Sequence, residues 1–133
     1  MRYMTFVKAS EHYGAPPAAL LEAMGSLITE AAESGVFVDG AGLTPSTMAA
    51  RVRLEGGRVS ATDGPFSEAK EVVGGYAIFE LPSKEAALAW TTRMIELHQR
   101  HWPGWEGECE VRPIYGRDDT EQMLRDRAAT AGG

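Results

Sequence analysis

Residues 72–81 of the chain read VVGGYAIFEL, a run of strand length with apolar residues on both of its alternating faces. Tyr76 and Ile78 fall on one face, while Ala77 and Phe79 fall on the other. The two glycines near its start predict a bulge or a close approach of another segment, as glycine in a strand usually does. We therefore expect a long strand in a sheet whose two faces both need cover.

Upstream of this strand, three patterns predict a strand, a helix and a hairpin. Residues 2–8 have the composition of a strand, and apolar residues recur at helical spacing from Leu20 to Ala31. Alternating apolar and basic residues flank Gly56-Gly57, whose freedom to adopt positive φ angles suits a tight turn. We expect a β-hairpin around these two glycines.

Downstream of this strand, the chain predicts a second helix and a last strand. Ser83 has the side chain of an N-cap, and Trp90 and Met94 share one face of the helix that follows. Residues 108–115 have the pattern of a strand. With one short hairpin strand set aside, the order β-α-β-β-α-β predicts an α+β fold, a ferredoxin-like sandwich.

The second face of such a sheet predicts an oligomer. Both helices of a ferredoxin-like sandwich cover one face of an antiparallel sheet. Apolar residues on the other face would be exposed in a monomer, and a twofold pair of chains is the commonest way to cover them. We expect a homodimer formed through this face.

Length and charge limit the classes of protein. The 133 residues suit one domain, which we place at residues 1–116, followed by a charged C-terminal tail at 117–133 that is partly helical or disordered. The 13 basic and 19 acidic residues give a net charge of −6, which argues against direct binding of nucleic acid or an anionic membrane. The apolar runs are shorter than the roughly 18 residues of a spanning helix.

The cysteine content and the N-terminus predict a cytoplasmic protein. Cys109 is the single cysteine, so no intramolecular disulfide forms. The apolar run at residues 3–7 is too short for a secretory signal. Cys109 shares a strand face with Val111, and we expect a buried, inert thiol.

The least generic stretch is residues 62–76, TDGPFSEAKEVVGGY. Asp63 would act as a general acid or base, or it would cap its own turn, as aspartate before glycine often does. Phe66 is a large apolar residue in a polar loop and is expected to insert into a core. Lys70 stands between two carboxylates, where it would shift the pKa of one of them in a cleft or join a surface network.

Three spaced motifs in the chain resemble those of the YCII-related family, in its DGPF branch. They stand here as Asp63-Gly64-Pro65-Phe66 with the sequel EAKE at residues 68–71 and GGY at 74–76, as GAGLTP at residues 40–45, and as EVRPI at residues 110–114. The resemblance spans residues 2–115 and implies a dimeric α+β barrel built from ferredoxin-like units.

The resemblance implies less about chemistry. Members of the wider family are suspected of enzyme-like chemistry from a His–Asp pair in a cleft between sheet and helices. Asp63 would be the acid of such a pair, whereas no histidine stands at a convincing spacing, His12 in the first loop included. Some members of the DGPF branch are encoded beside extracytoplasmic-function sigma factors, which implies a regulatory role.

Charged and aromatic residues around the motif are the candidate site residues. We expect Asp63 as the catalytic residue and, as ligand-binding residues, Glu68, Lys70, Glu71, Tyr76, Arg51 and Arg112. The arginines would clamp a carboxylate or phosphate, or they would pair with Glu108 and Glu110 across the sheet. The charged loop residues would line a pocket, or they would form a solvated network of little energetic value.

Two histidines near the end of the second helix are further candidates. His98 and His101 are three residues apart, a spacing that would place two imidazoles on one face for a metal. Cations near a helix C-terminus are also favourable without any metal. No third ligand stands near them in a recognisable motif, so we predict no metal and no cofactor.

Three functions fit these patterns. The first is binding or transformation of a small polar molecule in a cleft under the loop of residues 63–71. The second is a non-catalytic regulatory or interaction protein that binds a partner such as a sigma factor through its acidic surface. The third, a catalyst acting on a small polyketide-like or aromatic compound, rests on fold analogy alone.

Overall fold

Strands and helices follow one another much as the sequence predicts. A computed structural model describes residues 1–66 and 69–132. Its elements are β1 (Arg2–Ala9), α1 (Ala18–Glu33), β2 (Phe37–Gly42), β3 (Ala50–Glu55), β4 (Arg58–Asp63), β5 (Val72–Glu80), α2 (Lys84–His101), β6 (Gly107–Pro113) and α3 (Arg117–Gly132). Single 3-10 turns at Glu11–Tyr13 and Ser46–Met48 lie in the connections.

Four strands form one antiparallel sheet in the order β2-β5-β1-β6. β5 pairs with β1 and β2, so the apolar run that begins at Val72 is an interior strand. α1 and α2 pack on each other and on one face of this sheet. The α+β fold is therefore consistent with the ferredoxin-like sandwich that the element order predicts.

The hairpin differs from the prediction. Among the residues that the structure describes, β3 and β4 pair with each other alone, so both strands, and not one extra strand, lie outside the four-stranded sheet. Residues 37–42 supply the sheet strand instead, although their sequence, FVDGAG, has weak strand propensity. Pairing with β5 holds them in place, which is a tertiary effect. The predicted turn is confirmed, with φ +58° at Gly56 and +76° at Gly57.

Large side chains fill one end of the space between helices and sheet. Tyr3, Phe37 and Phe79 lie side by side across β1, β5 and β2. Residues from the helices and from the end of β5 complete this core: Leu27, Ala31, Leu81, Ala87 and Met94. The Trp90 ring stacks on Phe79 with centroids 5.8 Å apart. Trp90 thus packs against the core while it remains partly exposed.

Two local predictions are also confirmed. The pairing of β1 with β5 shifts between Val7 and Lys8, so that Gly74 is the extra residue of a bulge. The Ser83 hydroxyl caps α2 by accepting a hydrogen bond from the backbone N–H of Ala86 at 3.2 Å.

The C-terminal helix stands apart from the core. α3 lies within the charged tail expected at residues 117–133, and its residues up to position 131 are exposed. Within residues 1–66 and 69–132, no helix is long and apolar enough to cross a membrane.

Candidate functional site

A cleft of about 560 Å³ lies between the N-terminal half of α1 and the sheet. Its roof consists of apolar residues of α1, namely Leu20, Leu21, Met24 and Ile28. Its floor consists of small residues in neighbouring strands: Gly42 pairs with Gly75, and Gly40 pairs with Ala77. Large aromatic residues fill the next row of the sheet, so the cleft begins where their side chains end.

The glycines of the floor are required by close contacts between strands. A Cβ atom on Gly40 would lie 2.8 Å from the carbonyl oxygen of Tyr76, and one on Gly75 would lie 3.1 Å from that of Ala41. A side chain at Gly40 would therefore force the strands apart. Because both residues lack side chains, nothing at these positions rises from the sheet to meet α1, and the cleft remains open.

His98 of α2 lines this cleft and is 6% exposed. Its ring Nδ1 lies 2.8 Å from the carbonyl oxygen of Met94, one helical turn earlier. Burial lowers the pKa of His98 below its ordinary value of 6.5, although the contact with Met94 acts in the opposite direction. The imidazole is therefore neutral at pH 7. It faces the cleft as a hydrogen-bonding group rather than as a cation at a helix end.

Aromatic residues lie beside His98. Trp102 and Trp105, which follow α2, also line the cleft, and their rings stack with centroids 5.9 Å apart. The His98 ring lies 4.6 Å from that of Trp105. The ring of Tyr13, from the first loop, lies beside both tryptophans, with centroid distances of 6.3 Å to Trp102 and 6.4 Å to Trp105. This end of the cleft is thus an aromatic wall that joins two loops.

Glu11 and Ser46 connect the loops around the cleft. The carboxylate of Glu11, which lines the cleft, accepts hydrogen bonds from the backbone N–H of Ser46 at 2.8 Å and from its hydroxyl. These hydrogen bonds lower the pKa of Glu11, so it is ionised at pH 7. Both carboxylate oxygens are engaged, and Glu11 therefore anchors a loop.

The Asp63-Gly64-Pro65-Phe66 turn is hydrogen-bonded to the same serine, Ser46. The Ser46 hydroxyl accepts a hydrogen bond from the backbone N–H of Phe66 at 3.0 Å, and Gly64 N–H donates to the carbonyl of Ala49 at 2.8 Å. A Cβ atom on Gly64 would lie 1.7 Å from the carbonyl oxygen of Ser46. The glycine of this motif is therefore required by contact with the β2–β3 connection.

The candidate arginines lie in two different places. The guanidinium of Arg51 lies 3.9 Å from the centroid of the Phe66 ring, a cation–π contact that holds the half-buried Phe66 against the hairpin. Arg112 is exposed on β6, 3.8 Å from Glu110. Glu110 also pairs with Lys8 at 3.0 Å, as does Glu108. The cross-strand partner of these glutamates is thus mainly Lys8.

Of the predicted site residues, Tyr76 lines the cleft. Asp63 is exposed at the end of β4, and Lys70 and Glu71 are exposed just before β5. Glu68 lies outside the described residues. Arg51, Arg112, Asp63, Lys70 and Glu71 are not among the described residues that line the cleft. Tyr76 contributes to the lining from β5, although its position between the helix-facing Gly75 and Ala77 puts its side chain on the other face of the sheet. Neither candidate arginine is among the described lining residues.

The sequence contained a signal for His98 that its grouping with His101 obscured. Ala87, Thr91, Met94 and His98 recur at helical spacing and are the buried residues of α2. A polar residue on the core stripe of a helix is an informative exception, since buried polar groups need partners. No comparable local signal marks Glu11, because its partner Ser46 is 35 positions away.

Within the described part of the chain, possible metal ligands are not clustered and the thiol of Cys109 is not ionised. Among residues 1–66 and 69–132, no group of three or more His, Cys, Asp or Glu side chains is arranged to hold a metal ion. Burial raises the pKa of Cys109 to about 11. The thiol is protonated at neutral pH, in agreement with the predicted inert residue.

Residues 1–99 match the family model of the YCII-related domain. The chain is also 32% identical, over 82 residues, to Uncharacterized protein R00369 of Rhizobium meliloti (strain 1021). That alignment spans 62% of this chain and 62% of the relative, so this chain matches less than two thirds of the relative's length. Because the domain match extends over most of the sequence and includes the strands and helices around the cleft, the chain belongs to the YCII-related family.

Proposed function

We propose that the protein binds a small, mainly apolar organic molecule in the cleft between α1 and the sheet. The main support for this proposal is the volume of the cleft, which is about 560 Å³ above the glycines of β2 and β5. Small-molecule sites typically have about 300–1,000 Å³, with apolar walls and a few polar groups that orient the ligand. Here Leu20, Met24 and Ile28 are apolar wall residues, and His98 supplies a polar group.

The proposal is for binding alone. The titratable residues among the described lining are Glu11, Tyr76 and His98. Both oxygens of Glu11 are already hydrogen-bonded to Ser46. The position of Tyr76 in β5 places its side chain on the opposite face of the sheet from the glycine floor. Of these three titratable residues, His98 is then the one whose side chain is available to orient a ligand.

The loop of residues 63–71 is proposed to border the entrance of this site, with Lys70 and Glu71 outside the cleft itself and Asp63 orienting the loop. The support is proximity along the chain: Val72 lines the cleft and follows Glu71 directly. A second support is the hydrogen bond from the backbone N–H of Phe66 to Ser46. The hydroxyl of Ser46 also donates to Glu11, which lines the cleft.

Binding is tested with N-phenyl-1-naphthylamine, an uncharged probe that fluoresces in apolar surroundings. Gly25 of α1 lines the cleft, and a Cβ atom there would have no neighbour within 4 Å. The Gly25→Trp variant therefore fills the cleft without a clash at the backbone. We expect it to weaken probe binding by about tenfold or more.

The matched control is Ala32→Trp, which adds the same side chain at an exposed position of α1 outside the lining. This variant should bind the probe like the wild type. Equal affinities for Gly25→Trp and Ala32→Trp, or no binding by the wild type, would overturn the proposal. A thermal-shift screen of small metabolites that includes Asp63→Ala then tests the loop, since a specific ligand raises Tm by mass action.

The second face of the four-stranded sheet is proposed to pair with a second copy of the chain. Met4, Phe6, Tyr76 and Ile78 alternate with the helix-facing residues of β1 and β5, and each is half-buried without a covering helix. The hairpin adds exposed apolar residues on β3 and β4: Val52, Leu54 and Val59, each more than 70% exposed. Apolar surfaces of this kind typically mark an interface.

The alternative function is an association with an extracytoplasmic-function sigma factor, with the cytoplasm as the location. It rests on the resemblance of the three motifs and on the exposure of α3, whose residues up to position 131 are all exposed. A pull-down from the native host that recovers a sigma factor, and that loses it when α3 is removed, would favour this function. Recovery of no protein partner would count against it.

A further inference from the structure

The contact between His98 and Met94 determines which atom of the imidazole faces a ligand. A carbonyl oxygen has no hydrogen to donate, so the 2.8 Å contact requires a proton on Nδ1 of His98. A neutral imidazole with Nδ1–H carries its lone pair on Nε2. Among residues 1–66 and 69–132, the hydrogen bond of the His98 ring is the one from Nδ1 to Met94. Because His98 lines the cleft, we infer that Nε2 is the acceptor it offers to a bound molecule.

The charges around the cleft disfavour an anionic ligand. The described lining contains no lysine or arginine, and its one carboxylate belongs to Glu11. A ligand carboxylate would be buried without a cationic partner and near a negative charge, which is costly in apolar surroundings. A neutral donor avoids this cost. Because the lone pair of Nε2 needs a hydrogen, an O–H group satisfies both conditions.

The walls beside His98 favour a flat molecule. The rings of Trp102 and Trp105 stack at an angle of 23°, and the His98 ring lies 4.6 Å from Trp105. The glycines of β2 and β5, which also line the cleft, present backbone without side chains. An aromatic ring gains from contact with such flat surfaces beyond the burial of its area.

We propose that the cleft binds a neutral hydroxylated aromatic molecule whose O–H donates a hydrogen bond to Nε2 of His98. This inference rests on the proposed function and adds the chemical class of the ligand. It names His98 as the residue that selects for a hydroxyl group, while Trp102 and Trp105 select for the aromatic ring.

The test compares 2-naphthol with 2-methoxynaphthalene, which has the same rings but no O–H. In titrations of the full chain near pH 7.5, we expect 2-naphthol to bind about tenfold more tightly, because the ether leaves the Nε2 acceptor without a donor. The anion 2-naphthoate should bind more weakly than 2-naphthol. In His98→Phe the preference for 2-naphthol over its methyl ether should disappear.

His101→Phe is the matched control, since His101 is three residues further along α2 and is not among the lining residues. It should keep the preference for 2-naphthol. If His98→Phe does not fold, the ligand comparison in the wild-type protein decides the question by itself.

The outcomes separate this inference from the proposed function. Equal binding of naphthol and its ether, or tighter binding of the naphthoate, would overturn the inference and leave the cleft as a binding site. Binding of the uncharged fluorescent probe without binding of 2-naphthol would do the same. Failure of the wild type to bind the probe and all three naphthalenes would overturn both.

Discussion

Three glycines have roles in this fold that a larger residue could not take. Gly40 and Gly75 allow β2 and β5 to approach each other, and Gly64 lies against the carbonyl of Ser46. The φ angles of these three glycines are not positive, so their role is steric and not conformational. This distinguishes them from Gly56 and Gly57, which are needed for the backbone angles of a turn.

Gly64→Ala is expected to destabilise the protein, because the added methyl group would lie 1.7 Å from a backbone oxygen that cannot move without displacing the connection. We predict a loss of about 2–3 kcal/mol in the free energy of unfolding, measured by urea denaturation. Gly74→Ala is the control, since its Cβ would meet nothing within 4 Å and should cost at most about 1 kcal/mol. Equal losses in the two variants would contradict the steric role of Gly64.

His98 should make stability depend on pH. Because burial holds its pKa below the ordinary value of 6.5, the unfolded chain binds a proton that the folded chain excludes. The free energy of unfolding should therefore decrease as the pH falls below about 6.5, and this contribution should level off below the folded pKa. Urea midpoints at about pH 7.5 and 5.5 measure the decrease, which should be smaller in His98→Phe. A decrease of the same size in that variant would rule out His98 as its source.

At the level of elements, burial separates those that form the core from those that project. α1 and α2 each bury a stripe of residues. At the surface, Arg93 of α2 forms a hydrogen-bonded salt bridge with Glu30 of α1. The β3–β4 hairpin and α3 bury no residue within the described chain. Their formation therefore contributes little to the stability of the four-stranded sheet.

Removal of residues 117–133, which contain α3, is expected to change the free energy of unfolding by no more than about 0.5 kcal/mol. The reason is that the described residues of α3 are exposed and its side-chain hydrogen bonds are local, such as that from Arg117 to Glu121. Chemical denaturation of the full and shortened chains provides the comparison. A loss of several kcal/mol would show that α3 packs against something in the folded state.

At the level of the whole molecule, one face of the four-stranded sheet has apolar residues that no helix covers. One face carries both helices, whereas the other carries Phe6, Tyr76 and Ile78 beside the ion pairs of Lys8. The hydrogen bonds that Lys8 donates to the carboxylates of Glu108 and Glu110 raise the pKa of Lys8, so this residue stays charged at neutral pH. A second copy would cover the apolar residues while leaving charged ones at the rim, the usual composition of an interface.

The proposed dimer predicts a mass of twice 14.4 kDa by light scattering. Ile78→Asp places a charge in the middle of the uncovered face and should give the monomer mass, because an unpaired buried charge is costly. Leu124→Asp is the control, since Leu124 is 64% exposed on α3, and it should leave the dimer intact. A wild-type mass near 14.4 kDa would contradict the dimer.

Much of the fold could be predicted from local patterns, but the cleft could not. The apolar spacing of α1, the cap at Ser83 and the turn at Gly56-Gly57 are each encoded within a few residues. The strand propensity of β2 is weak because of its glycines. The sequence pattern therefore favours a hairpin strand at the place in the sheet that β2 occupies. Tyr76, which the sequence predicts as a ligand-binding residue, lines the cleft from β5, but its side chain belongs to the other face of the sheet.

The amino-acid sequence by itself determined the element order, the antiparallel α+β class and the family motifs, since spacing and turn chemistry act over short distances. Only the tertiary structure decided that Gly40, Gly42 and Gly75 would lie together under α1, that His98 would face the space above them, and that Glu11 would bind Ser46. These relations depend on strand register and on loops that meet across the fold. Register is set by the sum of many long-range contacts, which no short pattern in the chain contains.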